Sequence, residues 1–367
     1  MKIAYKNGTL FTGEHIETGK AILVNDNTIV GLTDEGSIPS DYQISDLEGL
    51  QVAPAFIDLQ IYGGDGKLFS AELSIEAIEA TYRYCLRGGC SRFMLTMATN
   101  SMETFLKGIE LVKEYWDKGG KGLLGFHMEG PYLNPVKKGA HVEKWIKKPS
   151  VEEVSLVLEK GKGALKMMTI APEVCSDEVI QLLLNSGIIV SAGHSNATYA
   201  EAMRGFNMGI PTATHLFNAM SPLQSREPGL VGAIYNHDRV RSSIVGDGIH
   251  VDFASLSISK KLMGERLFFI TDAVTETSKG DYQHILRGDR YTLPNGTLSG
   301  SALTMMESVK NGVKHAGIAL EEALRMASTY PGQLIKDQLL AGRIAPGYTA
   351  EFVVFNDRFE VVRVIGH

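Results

Sequence analysis

Five residues that can bind a metal ion or transfer a proton each come at or just after the end of a short apolar run. They are Glu129 in HMEGP, His194 in SAGHS, His215 in THLFNAM, His250 in GDGIH and Asp272 in TDAV. Taken singly, each has a plain structural interpretation, because a histidine at a strand end is commonly hydrogen-bonded and a lone carboxylate can cap a helix. Taken together they would be five buried ionisable groups, and a divalent cation satisfies two imidazoles and a carboxylate at once. The set predicts a metal site.

Two histidines with Glu129 leave one coordination position open on zinc or a similar ion, which is typical of a catalytic rather than a structural site. Such an ion lowers the pKa of a bound water and polarises a carbonyl oxygen. Asp272, if ionised and close to that water, would accept its proton and later pass it to a leaving amine. The predicted chemistry is metal-dependent hydrolysis of an amide bond, since the expelled nitrogen leaves poorly unless it is protonated.

The elements that must position these residues are eight apolar runs that alternate with helical patterns between about residues 55 and 275. The runs are FIDLQI from Phe56, RFMLTMA from Arg92, GLLGFHM from Gly122, KMMTIA from Lys166, GIIVSAG from Gly187, IPTATHL from Ile210, VRSSIVG from Val240 and RLFFITD from Arg266. Most are continuously apolar, as expected of parallel strands that are buried on both faces. Ser150 with Glu153, and Thr198 with Glu201, predict capping boxes at two helix starts.

This alternation predicts an α/β fold, a TIM (β/α)₈ barrel with helical segments continuing through roughly 301–340, and such barrels carry their sites at the C-terminal ends of the strands. A doubly wound open sheet is the alternative, although no GxGxxG follows the first strand. Both chain ends read as short strands broken by Gly and Asn turns. We therefore expect residues 1–53 and 343–367 to form one small β-sandwich domain beside a barrel of residues 54–342.

The amino-acid composition restricts the classes of partner that the protein is expected to bind. The 36 Lys and Arg against 42 Asp and Glu give a net charge of -6, which argues against nucleic acid or an anionic membrane as the main partner. The N-terminal sequence does not read as a signal peptide, and no apolar run predicts a membrane span. The odd set Cys85, Cys90 and Cys175 fits buried thiols in a reducing cytoplasm better than disulfides or metal ligands.

Longer motifs run almost from end to end of the chain. They are APAFIDLQIYGGDG, FHMEGPYLNPVKKGAH, SAGHSNATY, ATHLFNAMSPLQSREPG, IVGDGIHV, TDAV and LSGSALTMMESVKN. On these motifs the sequence resembles the sugar-phosphate deacetylases of the amidohydrolase superfamily. The resemblance implies removal of acetate from N-acetylglucosamine 6-phosphate, a small-molecule substrate, to leave glucosamine 6-phosphate.

Carried over by motif, the resemblance makes Glu129, His194 and His215 the ligands of one divalent ion, with Asp272 as general base and acid. Zinc is the expected ion, while iron, cobalt and manganese stay open. The resemblance further implies that His141, with Ala140 beside it, places the acetamido group. The positions implied to bind the sugar phosphate or line the pocket near the sugar are Asn218, Ala219, Arg226, His250, Leu298, Ser299 and Gly300. It also implies a homodimer in which Arg226 reaches the neighbouring subunit's site, where its guanidinium would bind phosphate.

One departure from many amidohydrolases concerns the end of the first strand, where a His-x-His pair binds a second metal. Here the positions read Gln60-Ile61-Tyr62, and neither Gln nor Tyr is a good transition-metal ligand. We therefore predict a single metal per subunit, with Asp58 and Gln60 filling space and hydrogen-bonding near the mouth. A second site held by other residues is the alternative.

Three alternative functions have to be considered beside the predicted one. Loops decide between sugar epimers, so a deacetylase of N-acetylgalactosamine 6-phosphate has the same signature. A cyclic-amide hydrolase is less compatible, since those enzymes usually need the His-x-His pair. A non-catalytic scaffold with the same barrel would be expected to lack a ligand or the base, and none is lacking here.

Overall fold

The computed structural model describes residues 1–335 and 340–367. Its strands are β1 (Lys2–Lys6), β2 (Thr9–Phe11), β3 (Ile16–Glu17), β4 (Lys20–Asn25), β5 (Thr28–Asp34), β6 (Gln43–Asp46), β7 (Gln51–Pro54), β8 (Phe56–Ile61), β9 (Gly63–Gly64), β10 (Lys67–Leu68), β11 (Cys90–Ala98), β12 (Leu123–Glu129), β13 (Leu165–Ile170), β14 (Ile189–Ala192), β15 (Thr212–Ala213), β16 (Arg241–Val245), β17 (Leu267–Ile270), β18 (Ile285–Arg287), β19 (Arg290–Thr292), β20 (Phe352–Phe355) and β21 (Val361–Ile365).

The α-helices fall mainly between the strands of the central sheet. They are α1 (Phe69–Glu72), α2 (Ile75–Arg87), α3 (Met102–Asp117), α4 (Val151–Gly161), α5 (Asp177–Asn185), α6 (Tyr199–Met208), α7 (Gly229–Asn236), α8 (Phe253–Met263), α9 (Met305–Lys314), α10 (Leu320–Ala327) and α11 (Thr329–Leu334). The predicted helical region of 301–340 includes residues 336–339, which lie outside the described residues.

The central sheet joins β8 and β11 to β17 in chain order, and every neighbouring pair is parallel. Its two edges meet where Asp272 N donates to Gln60 O at 3.0 Å and Tyr62 N donates to Ala273 O at 3.0 Å. Helices cover the outside of this barrel, and side chains from strands and helices form one large buried core. The predicted TIM barrel is confirmed.

Local signals at helix starts hold in part. Thr198 and Glu201 form the predicted reciprocal capping box of α6. Ser150 accepts from Glu153 N, but the Glu153 carboxylate accepts instead from Tyr132 Oη at 2.9 Å and pairs with Lys147 at 2.5 Å. The predicted second half of that box is therefore wrong, because two side-chain donors compete for the carboxylate.

Strands from both chain ends share one sheet. β20 pairs antiparallel with β7 in a five-stranded sheet of order β3-β2-β7-β20-β21, and a four-stranded sheet has the order β5-β4-β1-β6. A separate apolar cluster lies between the two sheets, and it includes Leu10, Ile22, Val52 and Phe352. This arrangement agrees with the predicted composite β-sandwich, while the exact domain boundaries stay a prediction.

The three cysteines are buried and free of disulfides. Across the described part of the chain, no helix combines the length and the apolar character needed to cross a membrane.

Candidate active site

All four predicted centre residues lie at the C-terminal mouth of the barrel. Glu129 is the last residue of β12, and His194, His215 and Asp272 each come two residues after the ends of β14, β15 and β17. Their side chains are buried. The strands therefore bring together residues that are far apart in the chain: Glu129 and Asp272 are separated by 143 positions.

Three of these residues have an unusual backbone. His194, His215 and Asp272 have φ angles of 47°, 40° and 54°, in the left-handed region that non-glycine residues seldom adopt. Such conformations persist where the surroundings over-determine them, and they concentrate at functional sites. Here the turn out of each strand aims the side chain back across the barrel mouth.

The centre passes a geometric test for a metal ion. Glu129 Oε1 lies 3.3 Å from His194 Nε2 and 3.2 Å from His215 Nε2, and the two nitrogens are 3.1 Å apart. A tetrahedral ion with bonds of about 2.0–2.1 Å separates its ligand atoms by about 3.3 Å. The three atoms therefore form a triangle of the size that one such ion requires.

His141 also lies in this cluster, within 4.8 Å of Glu129 and His194 when one ligand atom of each is compared. Hydrogen-bond partners separate its role from that of His194. His194 Nδ1 contacts Lys137 O at 3.0 Å, and a carbonyl only accepts, so Nε2 keeps a lone pair for a cation. His141 Nδ1 instead accepts from Thr99 N at 3.2 Å, so its Nε2 carries the proton and donates to Glu129 Oε2 at 3.1 Å. His141 is thus a hydrogen-bond donor beside the three predicted ligands.

Gln60 and Tyr62 point into the centre from β8 and its end, because alternate side chains along a strand face the same side. Gln60 Nε2 donates to Glu129 Oε1 at 3.0 Å and to Asp272 Oδ1 at 2.8 Å. Tyr62 Oη donates to Glu129 Oε2 at 2.6 Å. These donors link the two carboxylates in the position where a His-x-His pair would supply metal ligands.

Burial and neighbouring charges set the protonation of the centre. Burial raises the pKa of Asp272 to about 6, and the charge of Glu129 adds to the rise. Burial also lowers the pKa of His141 to about 4, helped by His194, so this imidazole is neutral at pH 7. Burial opposes the ionised form of Glu129, but the adjacent histidines outweigh it and hold the pKa of this carboxyl well below its usual value. At pH 7 the centre therefore has an ionised Glu129 and a mostly ionised Asp272.

A cavity of about 190 Å³ opens above these residues. Most of the predicted substrate-binding positions line it, namely Ala140, His141, Asn218, Ala219, His250, Leu298, Ser299 and Gly300. Asn218 Nδ2 is buried and has no hydrogen-bond partner among the described residues. A buried amide donor of this kind is costly unless a ligand accepts from it, which favours a polar ligand on this side of the cavity.

His250 is engaged at both ring nitrogens. Nδ1 lies 2.6 Å from Asp247 Oδ2 and Nε2 lies 2.6 Å from Ser299 O, so both acceptors call for ring N–H groups. Burial opposes the charged imidazolium, but the hydrogen bond and charge of Asp247 outweigh it and raise the pKa of His250. His250 would therefore act on an anionic ligand through its charge rather than through a free hydrogen bond.

Arg226 is the predicted site residue that the fold does not bring to the others. It is exposed in the loop between β15 and α7 and is absent from the lining of its own chain's cavity. Within one chain, Arg226 therefore does not make its predicted contact with the phosphate of the substrate.

The profile of the amidohydrolase family matches residues 51–365. The chain belongs to the amidohydrolase family. The N-acetylglucosamine-6-phosphate deacetylase of Haemophilus influenzae is 34% identical over 376 aligned residues, which cover 100% of this chain and 98% of the relative. The N-acetylgalactosamine-6-phosphate deacetylase of Shewanella is 31% identical over 94% of this chain and 89% of its own length. The crystal structure of the N-acetylglucosamine-6-phosphate deacetylase of Pasteurella multocida superposes with a TM-score of 0.95 at 33% identity, covering 100% of this chain and 98% of the other.

Membership confirms the prediction of a metal-dependent enzyme that hydrolyses amide bonds. In this amidohydrolase, sequence reasoning missed several groups around the cavity: Thr99, Asp247, Tyr282 and His284. Asp247 had a signal, since it precedes His250 by three residues in GDGIH. Tyr282 Oη donates to Thr99 O at 2.6 Å and His284 Nδ1 lies 3.0 Å from Ser299 Oγ, but both belong to a segment without strand or helix periodicity. Only the fold brings them to the cavity.

Proposed function

We propose that this amidohydrolase is an N-acetylglucosamine-6-phosphate deacetylase, which releases acetate and leaves glucosamine 6-phosphate. The observation that carries the proposal is the convergence of Glu129, His194, His215 and Asp272 at one mouth of the barrel. Full-length similarity to the deacetylases of Haemophilus influenzae and Pasteurella multocida supports the choice of substrate.

Glu129, His194 and His215 would hold one divalent ion per subunit. Zinc suits two imidazoles and a carboxylate with an open position, and iron, cobalt or manganese suit the same donors. The ion, when bound, supplies Lewis-acid activation of water and of the substrate carbonyl. Gln60 and Tyr62 stand where the His-x-His pair of other amidohydrolases would be, and both donate hydrogen bonds to Glu129. The presence of donors instead of metal ligands supports one ion rather than two.

Asp272 would take a proton from the attacking water and return it to the nitrogen of the leaving amine. Its carboxylate is held by Gln60 Nε2, so it keeps an oxygen free to receive that proton. His141 lines the cavity at the edge of the centre, from where it would place the acetamido group. Burial of all these groups excludes bulk water, which strengthens each electrostatic interaction.

The sugar phosphate would lie over the side of the cavity formed by Asn218, Ala219 and His250, with Leu298 to Gly300 near the sugar. Asn218 offers an unpaired buried amide and His250 offers positive charge. Arg226 would complete the phosphate site from the neighbouring subunit of a homodimer. Its exposure, and its absence from its own cavity, support that assignment. We further propose a cytoplasmic location, in keeping with the three free cysteines.

The second candidate substrate is N-acetylgalactosamine 6-phosphate. The 31% identity to the Shewanella enzyme that carries that name favours keeping it. The two sugars are epimers that differ in the configuration of one hydroxyl group. The groups that convert the amide to an amine are the same for both. The chemistry proposed above therefore does not depend on the epimer.

Acetate release measured on both sugar phosphates, with metal analysis of the same protein, tests the proposal. The expected result is a higher kcat/KM for the glucosamine compound. A higher value for the galactosamine compound would reassign the substrate and keep the chemistry. Absence of acetate from both, with metal bound, would overturn the proposed function.

A further inference from the structure

Asp58 is a buried carboxylate that the mechanism above does not use. It is the third residue of β8, and none of its surface is exposed to solvent. Oδ1 accepts from Gln60 N and from Thr271 N, both at 3.2 Å, and Oδ2 accepts from Thr271 Oγ1 at 2.5 Å. Burial raises the pKa of this group to about 7, although the three hydrogen bonds oppose the rise. Burying a carboxyl group merely to fill space would be unfavourable.

Its bonds cross the seam of the barrel. The ladder of parallel pairs runs from β8 through β11 to β17, and β17 and β8 share no ladder among the described residues. One bridge, Ile61 with Ala273, and the backbone bonds at Gln60 and Tyr62 join these two strands instead. The Asp58 carboxylate adds three hydrogen bonds here, two of them to Thr271, which directly follows β17.

The seam carries two groups of the proposed centre. Gln60 lies two residues beyond Asp58, and Asp272 directly follows Thr271 with its left-handed φ of 54°. Thr271 Oγ1 donates to Asp58 and accepts from Ala273 N at 3.2 Å. Asp58 therefore fixes the backbone on both sides of Asp272. It accepts directly from Thr271 N, and it holds the Thr271 hydroxyl that accepts from Ala273 N.

We propose that Asp58 is a positioning residue that closes the seam between β8 and β17 and thereby fixes the backbone from which Asp272 reaches the reacting atoms. This inference rests on the proposed function, because turnover is what it acts on. Small displacements of a catalytic group reduce turnover steeply, by as much as 10²-fold for about 1 Å. Asp58 itself does not line the cavity above the centre.

Asp58→Asn is the first test, since an amide keeps the acceptor for the two backbone N–H groups but turns a donor towards the Thr271 hydroxyl. We expect kcat for acetate release to fall about tenfold or more, with KM within about twofold and the metal content per chain unchanged. The matched control is Glu351→Gln. Glu351 is also a buried acid, bonded to Ser91 Oγ at 2.6 Å and paired with Arg92, but it lies at the opposite end of the barrel. The control should lose stability and keep kcat.

Thr271→Val and Thr271→Ser form a second pair in case Asp58→Asn folds poorly. Valine removes the hydroxyl with little change of shape, so kcat should fall, whereas serine keeps the hydroxyl and should recover most of that loss. Equal kcat in folded, metal-loaded wild type, Asp58→Asn and Thr271→Val would overturn the inference. So would a parallel fall in Glu351→Gln, because loss of stability alone would then explain it. An inactive wild type would instead refute the proposed function.

Discussion

At the residue scale, the centre is organised around the two oxygens of Glu129. Oε1 lies 3.3 Å and 3.2 Å from the Nε2 atoms of His194 and His215 and accepts from Gln60 Nε2 at 3.0 Å. Oε2 accepts from Tyr62 Oη at 2.6 Å and from His141 Nε2 at 3.1 Å. Two donors thus hold Oε2, while Oε1 lies where it could bind a cation together with the two histidines. Five polar groups surround this carboxylate, which explains how its side chain can be almost wholly buried.

Replacing the proposed base tests its role directly. Asp272→Asn keeps the shape and the acceptor for Gln60 Nε2 but cannot take a proton from water. We expect metal content and substrate affinity close to those of the wild type, and kcat lower by roughly 10² or more. Steady-state acetate release with equilibrium substrate binding measures both quantities, and comparable turnover in the variant would remove Asp272 from the role.

The Asp247–His250 pair gives a prediction about pH. Burial opposes the ionised form of Asp247, but the hydrogen bond and charge of His250 outweigh it and lower its pKa below 3.8, while the pKa of His250 is raised above 6.5. The stabilisation from Asp247 is present above its unfolded pKa and is lost as the pH falls through its folded pKa. The stabilisation from charged His250 is present below its unfolded pKa and is lost as the pH rises through its folded pKa. The pair is therefore most stabilising between about pH 4 and 6.5.

Melting temperatures of wild type and Asp247→Asn at pH 5.5 and 9 check this. The difference between the two proteins should be larger at pH 5.5, where both partners are charged. A difference that grew towards pH 9 would show that the pair is not an ion pair in the folded protein.

At the element scale, the sequence predicts strands best where burial is uniform. All six residues of β8 are buried, and the predicted run FIDLQI has the observed bounds. β15 comprises only Thr212–Ala213 of the predicted run IPTATHL, because the chain leaves the sheet early to place His215. The left-handed turns at His194, His215 and Asp272 were not predictable, since nothing in a histidine or an aspartate calls for positive φ.

Contacts between loops could not be predicted from the sequence either. The KKGAH motif indicates a functional loop, but its contacts with the proposed metal ligands follow from the fold. His194 Nδ1 is oriented by a carbonyl of that loop, 57 positions away in the chain. Donor and acceptor roles of the histidines follow from such contacts and not from residue type.

The loop after β14 gives a testable case. Glu173 accepts from Ser195 Oγ at 2.7 Å, Asn196 N at 2.7 Å and Asn134 Nδ2 at 2.9 Å, and so holds the segment that carries His194. Glu173→Ala should weaken metal binding about 10- to 100-fold, the usual effect of losing support behind a ligand. Competition with a chelator of known affinity measures it.

Thr198→Ala is the control for that variant. It removes the cap of α6, a few residues further along the same segment, and should cost about 1 kcal/mol of stability while leaving metal affinity unchanged. Equal metal affinity in both variants would show that Glu173 does not support the ligand.

At the scale of the whole molecule, the proposal requires two chains for one complete site. Arg226→Ala should raise KM for the phosphorylated sugar roughly tenfold or more and narrow its advantage over the unphosphorylated sugar, since a charge-assisted contact is lost. An unchanged preference for the phosphorylated sugar would place the phosphate site elsewhere.

Mixed dimers separate a shared site from a site within one chain. A chain with Arg226→Ala keeps its own Asp272, and a chain with Asp272→Asn keeps its Arg226. If Arg226 acts across the interface, the heterodimer of these two chains contains one complete site. Its activity at low substrate should then be close to half that of the wild type, whereas activity equal to the mean of the two parents would contradict a shared site.

The proposed chemistry requires that Glu129, His194 and His215 bind one catalytic cation beside Asp272. Metal-free protein titrated with Zn²⁺, with acetate release from N-acetylglucosamine 6-phosphate followed at each addition, tests it most directly. Activity should rise in proportion to bound metal and level off at one ion per chain. Full activity without metal, or acetate production that never appears at one bound ion per chain, would contradict it.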